Sequence, residues 1–149
     1  MTNNDLDRAA LIFFAVREAG PRASLEQMKA ICYCIRNRVR AGWSDQDWMG
    51  VIEDAPQYAA HLTGERVPID KNSRAVQRLM REIDSIFYGD RGDFAEETIG
   101  GLDMEESLKE CKFWCYAKRP MLPWFEENIA RDPKNHVMRT QMGLMMFFE

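Results

Sequence analysis

One glutamate, Glu18, stands where a carboxylic acid could act on a bond that breaks only when its leaving oxygen receives a proton. Read as a helix, the segment places Leu11, Phe14 and Ala15 one or two turns behind it on the same face, so its carboxyl group meets apolar neighbours. It also falls at the C-terminal end of that helix, where the macrodipole is negative and an anion is disfavoured. Both effects favour the protonated acid. A carboxylic acid that keeps its proton near neutral pH is what glycosidic cleavage requires. On spacing alone the alternative is a glutamate turned out to water at a frayed helix end. If a second carboxylate takes part, the acidic stretch further along offers Asp93, Glu96 and Glu97, and nothing selects one of them.

Metal chemistry is a weaker reading. Cys32, Cys34, Cys111 and Cys115 lie in apolar, helix-like stretches and read as reduced, buried thiols. The Cys-x-Cys spacing at 32 and 34 points the two sulfurs to different helix faces, and neither His61 nor His136 completes a zinc set. No metal or organic cofactor is expected.

The elements that must position Glu18 follow from periodicity and breakers. A helix is predicted from about Leu6 to Glu18, capped by Asn4 or Asp5 and stopped by Gly20-Pro21; its middle is apolar all round, which places it centrally. Ser24-Leu25-Glu26-Gln27 reads as a capping box, opening a second helix with the stripe Leu25, Met28, Ile31, Cys32, Ile35, Val39 and an end at Gly42. Ser44 can cap a short helix carrying Trp48, Val51 and Ile52, before an irregular connection from Pro56 to Pro68. Ser73 to Tyr88 reads as a long helix with Val76, Leu79, Met80, Ile83 and Phe87 on one face. Residues 89 to 103 read as a long loop that can hold a short strand, and a further helix is predicted from Met104 to Ala117. Trp124 to Ala130 suits one more short helix. From His136 to Phe148 the residues suit a small β-hairpin, although the methionines also permit helix.

Composition bounds the rest. A chain of 149 residues with 46% hydrophobic and 30% charged residues suits one water-soluble domain, mainly α. A net charge of −4 with scattered Lys and Arg argues against nucleic acid as a partner. The apolar run Ala9 to Val16 is too short to span a bilayer and lacks the basic flank and cleavage pattern of a secretory signal. The expectation is a protein that is cytoplasmic as synthesised, and a monomer.

Several short motifs then fall in an ordered series: Glu18-Ala19, Asn37-Arg38-Val39, Val51-Ile52 followed by Gln57-Tyr58, and His136 with Phe147-Phe148 beyond it. In this order they resemble the spore-cortex-lytic (SleB-type) cell-wall hydrolases, most clearly from about Leu6 to Tyr58. The resemblance implies a lysozyme-like, mainly helical fold that cleaves the bond between N-acetylmuramic acid and N-acetylglucosamine in peptidoglycan glycan strands, with Glu18 as the catalytic acid. It implies no cofactor. In the lytic transglycosylase version the sugar's own C6 hydroxyl attacks C1, so one carboxyl serves as acid and then base.

The same resemblance sets Gln57 and Tyr58 near the cleft, as an amide for N-acetyl or hydroxyl groups and an aromatic face for a pyranose ring. Trp124 after Pro123 matches a late Pro-Trp; it can stack on sugar or close the core, and core packing suits it better. His136 can hydrogen-bond within the site or be a satisfied structural residue. Asn37 and Arg38 read as ties from the second helix to a neighbouring loop. Where the family continues Glu-Ala with Arg-Gly-Glu, this chain has Gly20-Pro21-Arg22, so the turn is remade. That departure supports the alternative of a non-catalytic, lysozyme-like binding or interaction module. A wall-cleaving enzyme without a signal would reach the envelope by a phage-type release.

Overall fold

The structure is a computed structural model that describes residues 3–20, 23–54, 73–88, 98–99, 102–116 and 123–149. It is mainly helical with a small antiparallel sheet, the fold class expected. Among the described residues, no helix is long and apolar enough to cross a membrane.

Helix α1 runs Asn3–Ala19, so Asn4 and Asp5 lie inside its first turns instead of capping it, and Asp5 pairs with Arg8 at 3.0 Å. Gly20 ends it with φ of 90°, a left-handed position that glycine fills without a Cβ clash, and its N–H closes on Val16 O. Helix α2, Leu25–Arg40, starts with the predicted capping box: Ser24 Oγ accepts from Gln27 N, and Gln27 Oε1 accepts from Ser24 N. Every residue of its expected stripe is buried.

Centrality falls to α2 and not to α1. Helix α2 packs against α1 and against the segments Trp48–Glu53, Arg74–Tyr88 and Phe113–Tyr116, whereas α1 leaves Leu6 and Phe13 exposed. An apolar sequence allows burial but does not require it on every side; contact on several sides decides. The buried flank of α1, Leu11, Phe14, Ala15, Val16 and Ala19, faces the main core.

Beyond Gly42 the backbone makes a tight turn over Trp43–Gln46, in which Ser44, Asp45 and Gln46 all have positive φ. Ser44 therefore does not cap the following helix. Asp47 does, its Oδ2 accepting from Gly50 N at 3.0 Å to open α3, Trp48–Glu53. Helix α4, Arg74–Tyr88, begins at Ser73, whose Oγ accepts from Val76 N, and buries Val76, Leu79, Ile83 and Ile86. Met80, expected on that face, is instead exposed.

Short strands β1, Thr98–Ile99, and β2, Leu102–Asp103, pair antiparallel and lead into α5, Met104–Ser107. The helix expected as far as Ala117 stops there. Glu110 takes φ of 62°, which no helix continues through, and the aromatic run that follows becomes strand β3, Phe113–Tyr116. A single helical turn, α6 (Pro123–Phe125), runs into a wider turn over Glu126–Ala130. Strands β4, Met138–Met142, and β5, Met145–Phe148, form the hairpin around Gly143, and β5 is the middle strand of the order β3-β5-β4.

Alternation along the sheet sorts side chains to two cores. Trp114 opposite Phe147, together with Met145 and Met142, joins the main core with α1, α2 and α4. Phe113, Cys115 and Phe148 point the other way and pack with Phe125 and Ile129.

Candidate functional site

Glu18 occupies the last turn of α1 and has no exposed surface. Its carboxylate accepts a hydrogen bond from the indole Nε1 of Trp114 at 3.4 Å. Trp114, itself fully buried, meets Phe14 edge-on at 5.9 Å between ring centres. The expectation of an apolar setting for Glu18 is met from α1 by Phe14, Leu11 and Ala15, all buried, and from β3 by Trp114.

A cation lies over the face of that indole. The Arg38 guanidinium is 4.8 Å from the Trp114 ring centre, 5.0 Å from Trp43 and 5.3 Å from Phe113, while its Nε donates to Lys112 O at 2.8 Å. Burial pulls its pKa down to about 10, against the opposing effects of Cys34 and Glu18. Beside it, Asn37 Nδ2 donates to Leu108 O and Cys111 O at 3.0 and 2.9 Å. The expected tie from the end of α2 to a neighbouring loop is thus present: it grips the turn that launches β3 and so sets where Trp114 sits.

The other expected residues gather on the opposite side of the strand. Trp124 lies 6.3 Å from Phe113 and His136 lies 5.3 Å from it, nearly perpendicular. Because Phe113 and Trp114 are consecutive on β3, they point to opposite faces, and the sheet stands between this group and Glu18. His136 Nδ1 lies 2.8 Å from Glu149 O, the satisfied structural contact that was one of its two expected roles. Trp124 does not close the core: it is 54% exposed, because Phe125, and not Trp124, turns inward from α6. Gln57 and Tyr58, with His61, Asp93, Glu96 and Glu97, lie outside the described residues.

Sequence reasoning missed Trp43 and Trp114 and gave Arg38 no part in the site. Trp43, 38% exposed and 5.8 Å from Phe113, shares that ring with Trp124, so two partly exposed indoles flank one buried phenyl group. An alternating reading of Phe113-Trp114-Cys115-Tyr116 as strand would have signalled Trp114.

The cysteines are free and buried, as expected, although Cys111 and Cys115 sit in a turn and a strand and not in a helix. Burial raises all four thiols, Cys111 to about 12 and Cys115 to about 11. Among the described residues, no three His, Cys, Asp or Glu side chains group as a metal site.

Compared with known proteins, the chain matches no family model, no curated protein and no solved structure.

Proposed function

We propose that this protein is a peptidoglycan glycosidase with a lysozyme-like fold, a muramidase or lytic transglycosylase that uses Glu18 as its only acid and base. The observation that carries this reading is the placement of Glu18. A carboxyl group in the last turn of a helix, buried and accepting from the Trp114 indole, can carry a proton into a low-dielectric site and give it to a glycosidic oxygen. The ordered motifs from Glu18-Ala19 to Gln57-Tyr58 point to the same chemistry.

In this mechanism Glu18 protonates the oxygen leaving C1 of N-acetylmuramic acid. The sugar's C6 hydroxyl, or water, then bonds to C1 and returns its proton to the Glu18 carboxylate.

The second reading is a lysozyme-like binding or interaction module without catalysis, and the complete burial of Glu18 favours it. A sugar reaches this carboxylate only if a covering side chain moves, whereas a structural glutamate is expected to be sealed. Digestion of purified peptidoglycan by wild type and Glu18→Gln, with released muropeptides identified by mass, decides between them. Co-sedimentation with insoluble peptidoglycan and no release supports the module.

A further inference from the structure

Arg38 is 3% exposed at the end of α2, where an ionic group loses its hydration and requires a built environment in return. Three aromatic rings and the Lys112 carbonyl supply it, and together they fix the plane of the guanidinium. One of those rings, Trp114, turns its N–H edge to Glu18. The geometry points to Arg38 as a positioning residue for Glu18, acting through the Trp114 indole. The cation polarises the ring, strengthens the N–H as a donor, and so keeps the carboxylate in one place. Loss of that charge would make the Trp114 N–H a weaker donor to the carboxylate.

From α2, Cys34 also faces the guanidinium, and Cys111 and Lys112, from the turn before β3, face Cys34. The buried thiols stay neutral over the range in which a carboxylic acid titrates. From α4, Glu82 is engaged by Lys29 at 2.7 Å. The catalytic meaning of the role rests on the glycosidase reading, in which a fixed carboxyl is aimed at one oxygen; the coupling itself does not.

The test is the Trp114 indole N–H signal of the full chain labelled with 15N-tryptophan, read at one pH and assigned by its loss in Trp114→Phe. Arg38→Gln is expected to shift that signal upfield, as a weakened donor does, and Arg38→Lys, which keeps a charge, to restore most of the shift. An unchanged signal in folded Arg38→Gln overturns the proposal. If Arg38→Gln does not fold, the coupling is read from its other end: Glu18→Gln is nearly isosteric, and Arg38, whose pKa is about 10, should then lose its proton about one pH unit lower, followed by its 13Cζ signal. No change there overturns the proposal equally. Neither readout needs turnover, so an absence of muropeptide release counts against the glycosidase reading alone.

Discussion

Trp114 donates its indole N–H to the Glu18 carboxylate across 3.4 Å, joining residues 96 positions apart in the chain. This contact makes the setting of Glu18 a product of the whole fold. Helix α1 delivers the carboxyl group, but the indole arrives only because Asn37 anchors the turn before β3 and β5 pairs with that strand. A change in the sheet would therefore be felt at the end of α1.

The Lys29–Glu82 pair should be the most sensitive polar contact between helices. Lys29 has no exposed surface and lies 2.7 Å from Glu82, which Arg78 also meets at 3.1 Å. Glu82→Gln removes the counter-charge that faces buried Lys29 and is expected to cost about 3–5 kcal/mol in urea unfolding, whereas replacing both partners, Lys29→Met with Glu82→Leu, recovers most of it. Burial by itself would raise the Glu82 pKa, but Lys29 and Arg78 outweigh it and hold the value below the ordinary carboxylate. The folded value is thus the depressed one. The stabilisation is complete above about pH 4.3 and is lost as pH falls through the lower folded value. Unfolding measured from pH 7 to 3 should show a steeper acid loss in wild type than in Glu82→Gln, and parallel curves would contradict the assignment.

Gln27 closes the capping box and also reaches the hairpin, its Nε2 donating to Met142 O at 2.9 Å. Ser24→Ala should cost about 1 kcal/mol, the usual loss of an N-cap. Gln27→Ala should cost about 2 kcal/mol, since it removes a cap contact and the tie to the sheet. Equal losses, by denaturant midpoints, would show that the hairpin tie contributes nothing.

The thiols should be silent until the protein unfolds. All four are buried and raised above the ordinary thiol value, so little thiolate exists at neutral pH. A colourimetric disulfide reagent at pH 7.5 is expected to label none of them in native protein and all four in denaturant. Rapid labelling of one thiol in the native state would contradict the buried placement.

Local chemistry was readable in the sequence wherever one segment decided the outcome. The Ser24 capping box, the α2 stripe, the Ser73 start and the hairpin at Gly143 each depend on neighbours within a few residues. What escaped depended on distant partners or on backbone sign. The spacing of Leu108, Cys111 and Cys115 imitates a helix, and only the left-handed Glu110 and pairing with β5 make Phe113–Tyr116 a strand. Met80 obeys the helical stripe of α4 yet is 55% exposed, because periodicity fixes a face but not what covers it. Glu18 was visible as a carboxyl against apolar residues on its own helix. Its donor Trp114 and the cation over that indole were not, since both arrive by tertiary packing.

The most direct test of the account is release of muropeptides from purified peptidoglycan by wild type and Glu18→Gln, each shown to be folded, with products identified by mass. Gln keeps the shape and can still accept from Trp114, but it has no proton to give. Wild type should release muropeptides, and Glu18→Gln should lose at least about a hundredfold of that activity. Undiminished release by Glu18→Gln, or none by folded wild type across pH 4 to 8, would contradict it.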